Sequence, residues 1–162
     1  MILDDLITDR TQADVDRVLA LIAKGFERMT AAEKAEFSTP MRGAYNASHL
    51  NTIIDAIDYV SERLNTIGGF QLDPTSVFYS WAVGDIPLRY RLDYILTDTE
   101  AIRSAYNTPF PQPPASVTRL GFEAANNIER ILIAAEDTLE RVEASFVYAG
   151  QAHSGTVWED LQ

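Results

Sequence analysis

The sequence predicts a mainly α protein: a helical bundle of about four long helices plus one short helix, with a short irregular or β-like connector and a C-terminal tail. Three observations carry that expectation. Apolar residues recur at steps of three and four over four separate segments. Helix-starting residues stand ahead of the first three of these segments, and glycine or proline closes the second and third. The chain, at 162 residues, matches a single domain of about 100–200 residues. Isolated amphipathic helices of such length are marginal in water, so the stripes must cover one another.

The first segment places Val15, Val18, Leu19, Ile22, Phe26 and Met29 at helical spacing, with Asp14, Asp16, Arg17, Lys24 and Arg28 between them. It predicts a helix from about residue 12 to 29 with one buried and one wet face. Thr11 to Asp14 resembles a capping box with aspartate in place of glutamate, and Thr30 with Glu33 completes a second one. "TAAEKAEF" is then a short helix that stops before Pro40. Leu50, Ile53, Ile54, Ile57, Val60, Leu64 and Ile67 form the second long stripe. Asn46 or Ser48 serves as its cap, and Gly68-Gly69 supplies its exit.

Residues 70–84, "FQLDPTSVFYSWAVG", carry Pro74 and four aromatics without a helical period, which suits a short strand pair or an irregular loop folded onto the bundle. Pro87 then fits a first helical turn, and Leu88, Leu92, Ile95, Leu96, Thr99 and Ile102 give the third long helix its face. The proline cluster at 109–114 reads as an extended spacer. Its PxxP spacing lacks the basic residue that would anchor a peptide-recognition partner. The fourth long helix runs from about Gly121 to Phe146 on Ile128, Ile131, Leu132, Ala135, Leu139, Val142 and Phe146, and the residues after it have strand or turn character. Residues 1–149 therefore form the bundle domain and 150–162 a contact tail.

Composition narrows the function. Hydrophobic residues at 46% and charged residues at 23% are globular proportions. A net charge of −11 repels phosphate backbones and anionic lipids, so neither nucleic acid nor a membrane is an expected partner. The chain has no cysteine, which removes thiolate catalysis and cysteine-ligated zinc. "MILDDLITDR" is acidic where a secretory signal is basic, and no segment approaches a membrane span of about 20 apolar residues. The expectation is a soluble protein made in the cytoplasm with no signal peptide.

Templates for chemistry find no match. Neither His49 nor His153 follows a glutamate by three residues, as a helical di-metal site requires. HExxH, GxGxxG, the P-loop and the zinc-deaminase signature are absent. "GQAHSG" sets a histidine beside a serine, but Ala152 stands where a nucleophile elbow needs glycine, so a polar turn is the simpler reading. Asp55, Asp58 and Glu62 share an outer helix face and read as solvated rather than as an acid/base pair. His49, in a first helical turn, reads as exposed or capping rather than metal-bound. No catalytic residue, metal ligand or cofactor is expected. Tyr79, Trp81, Tyr148 and Trp158 are the candidate interface residues, with packing over the bundle ends as the alternative.

A polar residue one position past the first apolar anchor of a helix raises a structural question. Aligning residues 49–54 with 127–132 puts Asn51 opposite Glu129, with Asn127 beside Ile128, and suggests two related helix starts. Asn51 is expected to fix the "RGAYN" turn, with Asn46 as cap and Tyr45 stapled onto the helix it precedes.

These same strings carry a resemblance. "DRTQADVDRVLALIAKGFERMTAAEKAEF" followed by "MRGAYNASHLNTIIDAIDYVSERLN" resembles a domain encoded in tail-gene clusters of phages and prophages of Gram-positive bacteria, with its "KGAYN-x-x-DLNR" helix start. Trp81 to Pro87 matches its "W-x-x-x-DIP" segment, "LGFEAANNIE" its "LTYTEAN-x-IE" helix and "YAGQAHSG" its "YSGE-x-x-SGE" tail. "TVWEDLQ" resembles segments of tail and fibre proteins. The resemblance implies a non-enzymatic structural protein of the virion tail, baseplate or fibre, an assembly or adaptor module among other tail proteins. Virion symmetry makes a homo-oligomer the expectation. In that setting the C-terminal segment pairs as an added strand or hands over to a fibre. The competing expectation is a carbohydrate- or receptor-binding module at a tail tip, stacking a host-surface glycan on Tyr79, Trp81 and Trp158.

Overall fold

A computed structural model describes residues 2–86, 88–106 and 110–153, the side chains of Arg119 and residues 147–153 excepted. Five α-helices follow one another: α1 (Gln12–Lys24), α2 (Ala31–Phe37), α3 (Ala47–Gly68), α4 (Arg89–Ala105) and α5 (Phe122–His153). Short 3-10 turns punctuate them, and no strand occurs among the described residues. The mainly helical bundle is therefore as expected, and the connector over residues 69–86 is irregular rather than β; Pro87, expected in a first helical turn, lies outside the described residues. None of the described helices is long and apolar enough to cross a membrane.

The helix starts follow local chemistry. Thr11 and Asp14 form a full capping box at α1, and Thr30 and Glu33 another at α2. Asn46 caps α3, its side chain accepting the His49 N–H at 3.1 Å. Gly69 closes that helix in the left-handed conformation at φ 68°.

Three helices, α3, α4 and α5, each pack against the other two. Their shared core holds Ile53, Ile57, Val60, Leu64, Ile102, Ile128, Leu132 and Leu139. Burying each large side chain is worth roughly 1.5–3 kcal/mol before the cost of ordering it. Leu3, from a 3-10 turn at Ile2–Asp5, joins this core. Residues 7–10 then lie along the first half of α5. Asn126 binds both the N–H and the C=O of Arg10, and Arg130 reaches Thr8 O at 2.7 Å.

Two expectations need correcting. The predicted helix 12–29 stops at Gly25, whose φ of 77° breaks the α path and is open at low cost only to glycine. A 3-10 turn at Phe26–Arg28 follows. The stripe on α1 is also displaced. Val18, Leu21 and Met29 are buried, whereas Leu19, Ile22 and Phe26 are half exposed or more. The cause is the partner: among its closest contacts α1 meets seven-residue α2 and the Phe26–Arg28 turn that joins the two, not the three-helix core. The second correction concerns the end of the last helix. Residues 147–153 continue α5 as helix, where strand or turn character was expected. Ala144, Ala149 and Ala152 favour that continuation, and no proline interrupts it. The tail assigned to 150–162 thus begins as helix, and its remainder, with Trp158, lies outside the described residues.

Candidate interaction surface

The connector between α3 and α4 has few regular backbone partners, so helix side chains supply them. Asn65 accepts the Leu72 N–H at 2.7 Å and donates to its carbonyl at 2.8 Å. Asp98, buried on α4, accepts the N–H groups of Thr75 and Ser76 at 3.2 and 2.7 Å. Asn51 accepts the Trp81 N–H at 2.8 Å and donates to the Trp81 carbonyl at 2.9 Å. The role expected for Asn51 was therefore misplaced. It anchors a segment 30 residues downstream instead of the "RGAYN" turn, because on α3 its side chain faces the connector.

Beyond Trp81 the chain closes a tight turn. Asp85 donates its N–H to Ala82 O at 3.1 Å, and its carboxylate accepts the Ala82 N–H at 2.9 Å. Gly84 takes a φ of 98°. This turn and the residues flanking it hold apolar side chains in water: Phe78 is 76%, Val83 99% and Ile86 77% exposed, with Leu88 and Tyr90 partly so. Beside it stands an aromatic group. Tyr79 stacks on Tyr94 with centroids 5.6 Å apart and planes at 11°, and Tyr90 meets both rings edge-on. The Arg91 guanidinium lies 5.1 Å over Tyr79 and 5.7 Å over Trp81.

Of the four candidate interface residues, Tyr79 and Trp81 are brought together by Arg91. Trp81 is only 6% exposed, so its ring packs inside and offers no stacking face, which corrects that part of the expectation. The available faces belong to Tyr79, Tyr90 and Tyr94, the last two unpredicted. Tyr148 sits on helical backbone in α5 and its side chain is not described; Trp158 lies outside the described residues.

The other singled-out residues serve the fold. Tyr45 passes over the helix it precedes and donates to Ala125 O at 3.2 Å, next to Glu129 at 3.5 Å. Glu129 forms a buried ion pair with Arg10 at 2.6 Å and accepts the Ile7 N–H. Burial raises its pKa, opposed by Arg10. Burial and the Glu129 charge likewise push the Tyr45 hydroxyl up. Asn127 reaches Gln112 O at 3.3 Å and so holds the proline spacer. The two aligned helix starts thus converge on one device, since both hold an adjoining segment by its backbone, although the closest counterpart of Asn51 is Asn126. A third buried acid, Glu136, accepts from Tyr59 at 3.1 Å and lies 3.0 Å from Arg63 Nε at an angle too poor for a hydrogen bond. Sequence reasoning missed Asn65, Asp98, Asn126 and Glu136. The signal for Glu136 was present: like Glu129, two turns earlier, it interrupts an apolar stripe.

His49 is half-buried, with Nδ1 near Asn46 and Ala44 O, and burial lowers its pKa. Asp55, Asp58 and Glu62 are exposed. Among the described residues no group of three or more histidines and acids is placed to hold a metal. No family model, curated protein or solved structure matches the chain.

Proposed function

We propose that this chain is a non-enzymatic assembly module that docks a protein partner on the 78–90 surface, in the virion-tail setting its sequence motifs resemble. The observation that supports this best is the braced turn itself. Val83 and Ile86 stand in solvent on a segment held by Asn51 and Asp85. Exposed apolar side chains on an ordered backbone lose little further entropy on binding, which is how interface anchors gain affinity. The buried acids, by contrast, are all engaged with neighbouring backbone, arginine or tyrosine groups.

The test is incorporation. In particles induced from a strain encoding the chain, mass spectrometry should detect the wild type and lose the Val83→Asp/Ile86→Asp variant, whose melting temperature should match the wild type because both sites are exposed. Equal incorporation of a folded variant removes the surface from the proposal, and absence of the wild type from particles removes the setting.

The tyrosine group supports a second reading, glycan stacking on Tyr90 and Tyr79. A glycan-array signal that disappears in Tyr90→Ala would favour it over protein docking.

A further inference from the structure

Acidic side chains gather beside the braced turn. Residues 43–88 carry Asp55, Asp58, Glu62, Asp73 and Asp85 against one arginine, Arg63, and no lysine. Arg63 turns away to Glu136 and Glu143 on α5, and Arg91 lies over the Tyr79 and Trp81 rings. Asp55, Asp58 and Glu62 follow one another at i, i+3 and i+7 along α3, all exposed, and Asp73 stands exposed on the connector. Among the described residues none of these four takes part in a hydrogen bond or ion pair. Like charges at this spacing repel along a helix, and cations supplied from outside relieve the repulsion.

The acidic row and the apolar turn belong to one surface. The connector runs back along α3 between two fastened points, Leu72 on Asn65 and Trp81 on Asn51. These points are about 21 Å apart on the helix, and Asp55, Asp58 and Glu62 lie between them. Asp58, Glu62 and Asp73 line one cleft with Val77, the neighbour of exposed Phe78. Val83 and Ile86 follow Trp81 at the Asn51 end.

We infer that this surface docks a positively charged amphipathic segment of a partner protein, whose apolar side chains seat on Phe78, Val83 and Ile86 while its lysines or arginines face Asp55, Asp58, Glu62 and Asp73. The inference rests on the docking role proposed for the 78–90 surface and adds the chemistry of the partner. Among the described residues no three acids converge as a metal ion requires; carboxylates spread along a helix match cations spread along a chain. A second copy of this chain, with its charge of −11, is repelled from such a face.

The test uses peptides of about 14 residues, the length of the α3 face, that share one leucine face and fill their polar positions with lysine, with glutamate, or with both equally. Octalysine serves as the probe without an apolar face. Each is titrated into the wild-type chain at neutral pH and followed by amide and methyl NMR. The lysine peptide should shift the amides of 55–62 and 73 and the methyls of Val83 and Ile86, and raising salt from about 50 to about 200 mM should weaken it about tenfold. The mixed peptide, octalysine and the glutamate peptide should all bind at least about tenfold more weakly. Asp55→Asn/Asp58→Asn/Glu62→Gln should lose about tenfold in affinity for the lysine peptide while melting no lower than wild type, since repulsion is removed. Val83→Ser/Ile86→Ser, changed only at exposed sites, should lose a similar factor. Undiminished binding by the amide variant, equal binding of the glutamate peptide, or shifts centred on the acids of 137–143 overturns the positively charged class and leaves the docking reading standing. Undiminished binding by the serine variant overturns the apolar half, and with it the docking reading of the turn. Absence of binding by every peptide overturns the inference, and the particle incorporation of Val83→Asp/Ile86→Asp then decides the docking reading by itself.

Discussion

Asn51, Asn65 and Asn126 perform one task at three places, on Trp81, Leu72 and Arg10. Each carboxamide accepts a backbone N–H and donates to the same residue's carbonyl, as a neighbouring strand would, so irregular chain can lie on a helix without orphaned polar groups. Replacement by alanine should cost about 1–3 kcal/mol where the pair is buried. Urea unfolding should therefore rank Asn126→Ala, whose bonds to Arg10 are buried, above Asn51→Ala, with Asn65→Ala mildest because its segment is more exposed. Unchanged midpoints for the first two would discard the device. Such a partner is invisible to a local reading, since nothing near Asn51 names Trp81. Glu136 illustrates a titrating counterpart. Burial raises its pKa above the ordinary 4.5, with Arg63 and Tyr59 opposing and Glu140 and Glu143 adding to the rise. The folded chain then holds the proton more tightly than the unfolded one, so the stability linked to this group is complete below 4.5 and falls as pH rises through the folded pKa. Glu136→Gln keeps an acceptor for Tyr59 and removes the titration. Its stability relative to wild type should improve as pH rises above 4.5 and level off once the folded pKa is passed, as urea melts would read, and a parallel pair of profiles would contradict the shift.

At the scale of elements, the starts of α1, α2 and α3 were legible, whereas the ends of α1 and α5 and the buried face of α1 were not. The capping boxes at Thr11 and Thr30, the Asn46 cap and the glycine exit of α3 could be read directly, because the donors and acceptors they satisfy lie within one helical turn. The buried side of α1 could not, because Leu19, Ile22 and Leu21 are equally apolar and the choice among them depends on where α2 sits. Gly43 helps to set that position: a β-carbon there would collide with the Asp14 carbonyl, so the turn presses directly on the start of α1. The expected consequence is a sharp contrast along α1. Leu21→Ala should cost about 2–5 kcal/mol as a buried truncation, while Leu19→Ala and Ile22→Ala, both more than half exposed, should change stability by no more than about 0.5 kcal/mol. Thermal melts that reverse this order would restore the stripe predicted from spacing alone.

For the whole molecule, the division between core and appendage matters more than the count of helices. Val18, Leu21 and Met29 are buried but stand outside the cluster that unites α3, α4 and α5. The ion pairs joining α1 to α2, Arg17 with Glu36 and Lys24 with Glu33, are largely exposed and contribute little against that separation. The α1–α2 pair should then open without disturbing the core, whereas residues 53–64 and 131–139 must await global unfolding. Native-state hydrogen exchange distinguishes the two. Amides in 18–24 should exchange with a lower opening free energy that hardly responds to low urea, and those in 53–64 with the full free energy and the full urea dependence. Coincident values would mean one cooperative unit. Separate values would mean that the N-terminal pair can rearrange on a partner while the braced 78–90 surface keeps its shape, because Asn51, Asn65 and Asp98 fasten that surface to the part of the molecule that opens last.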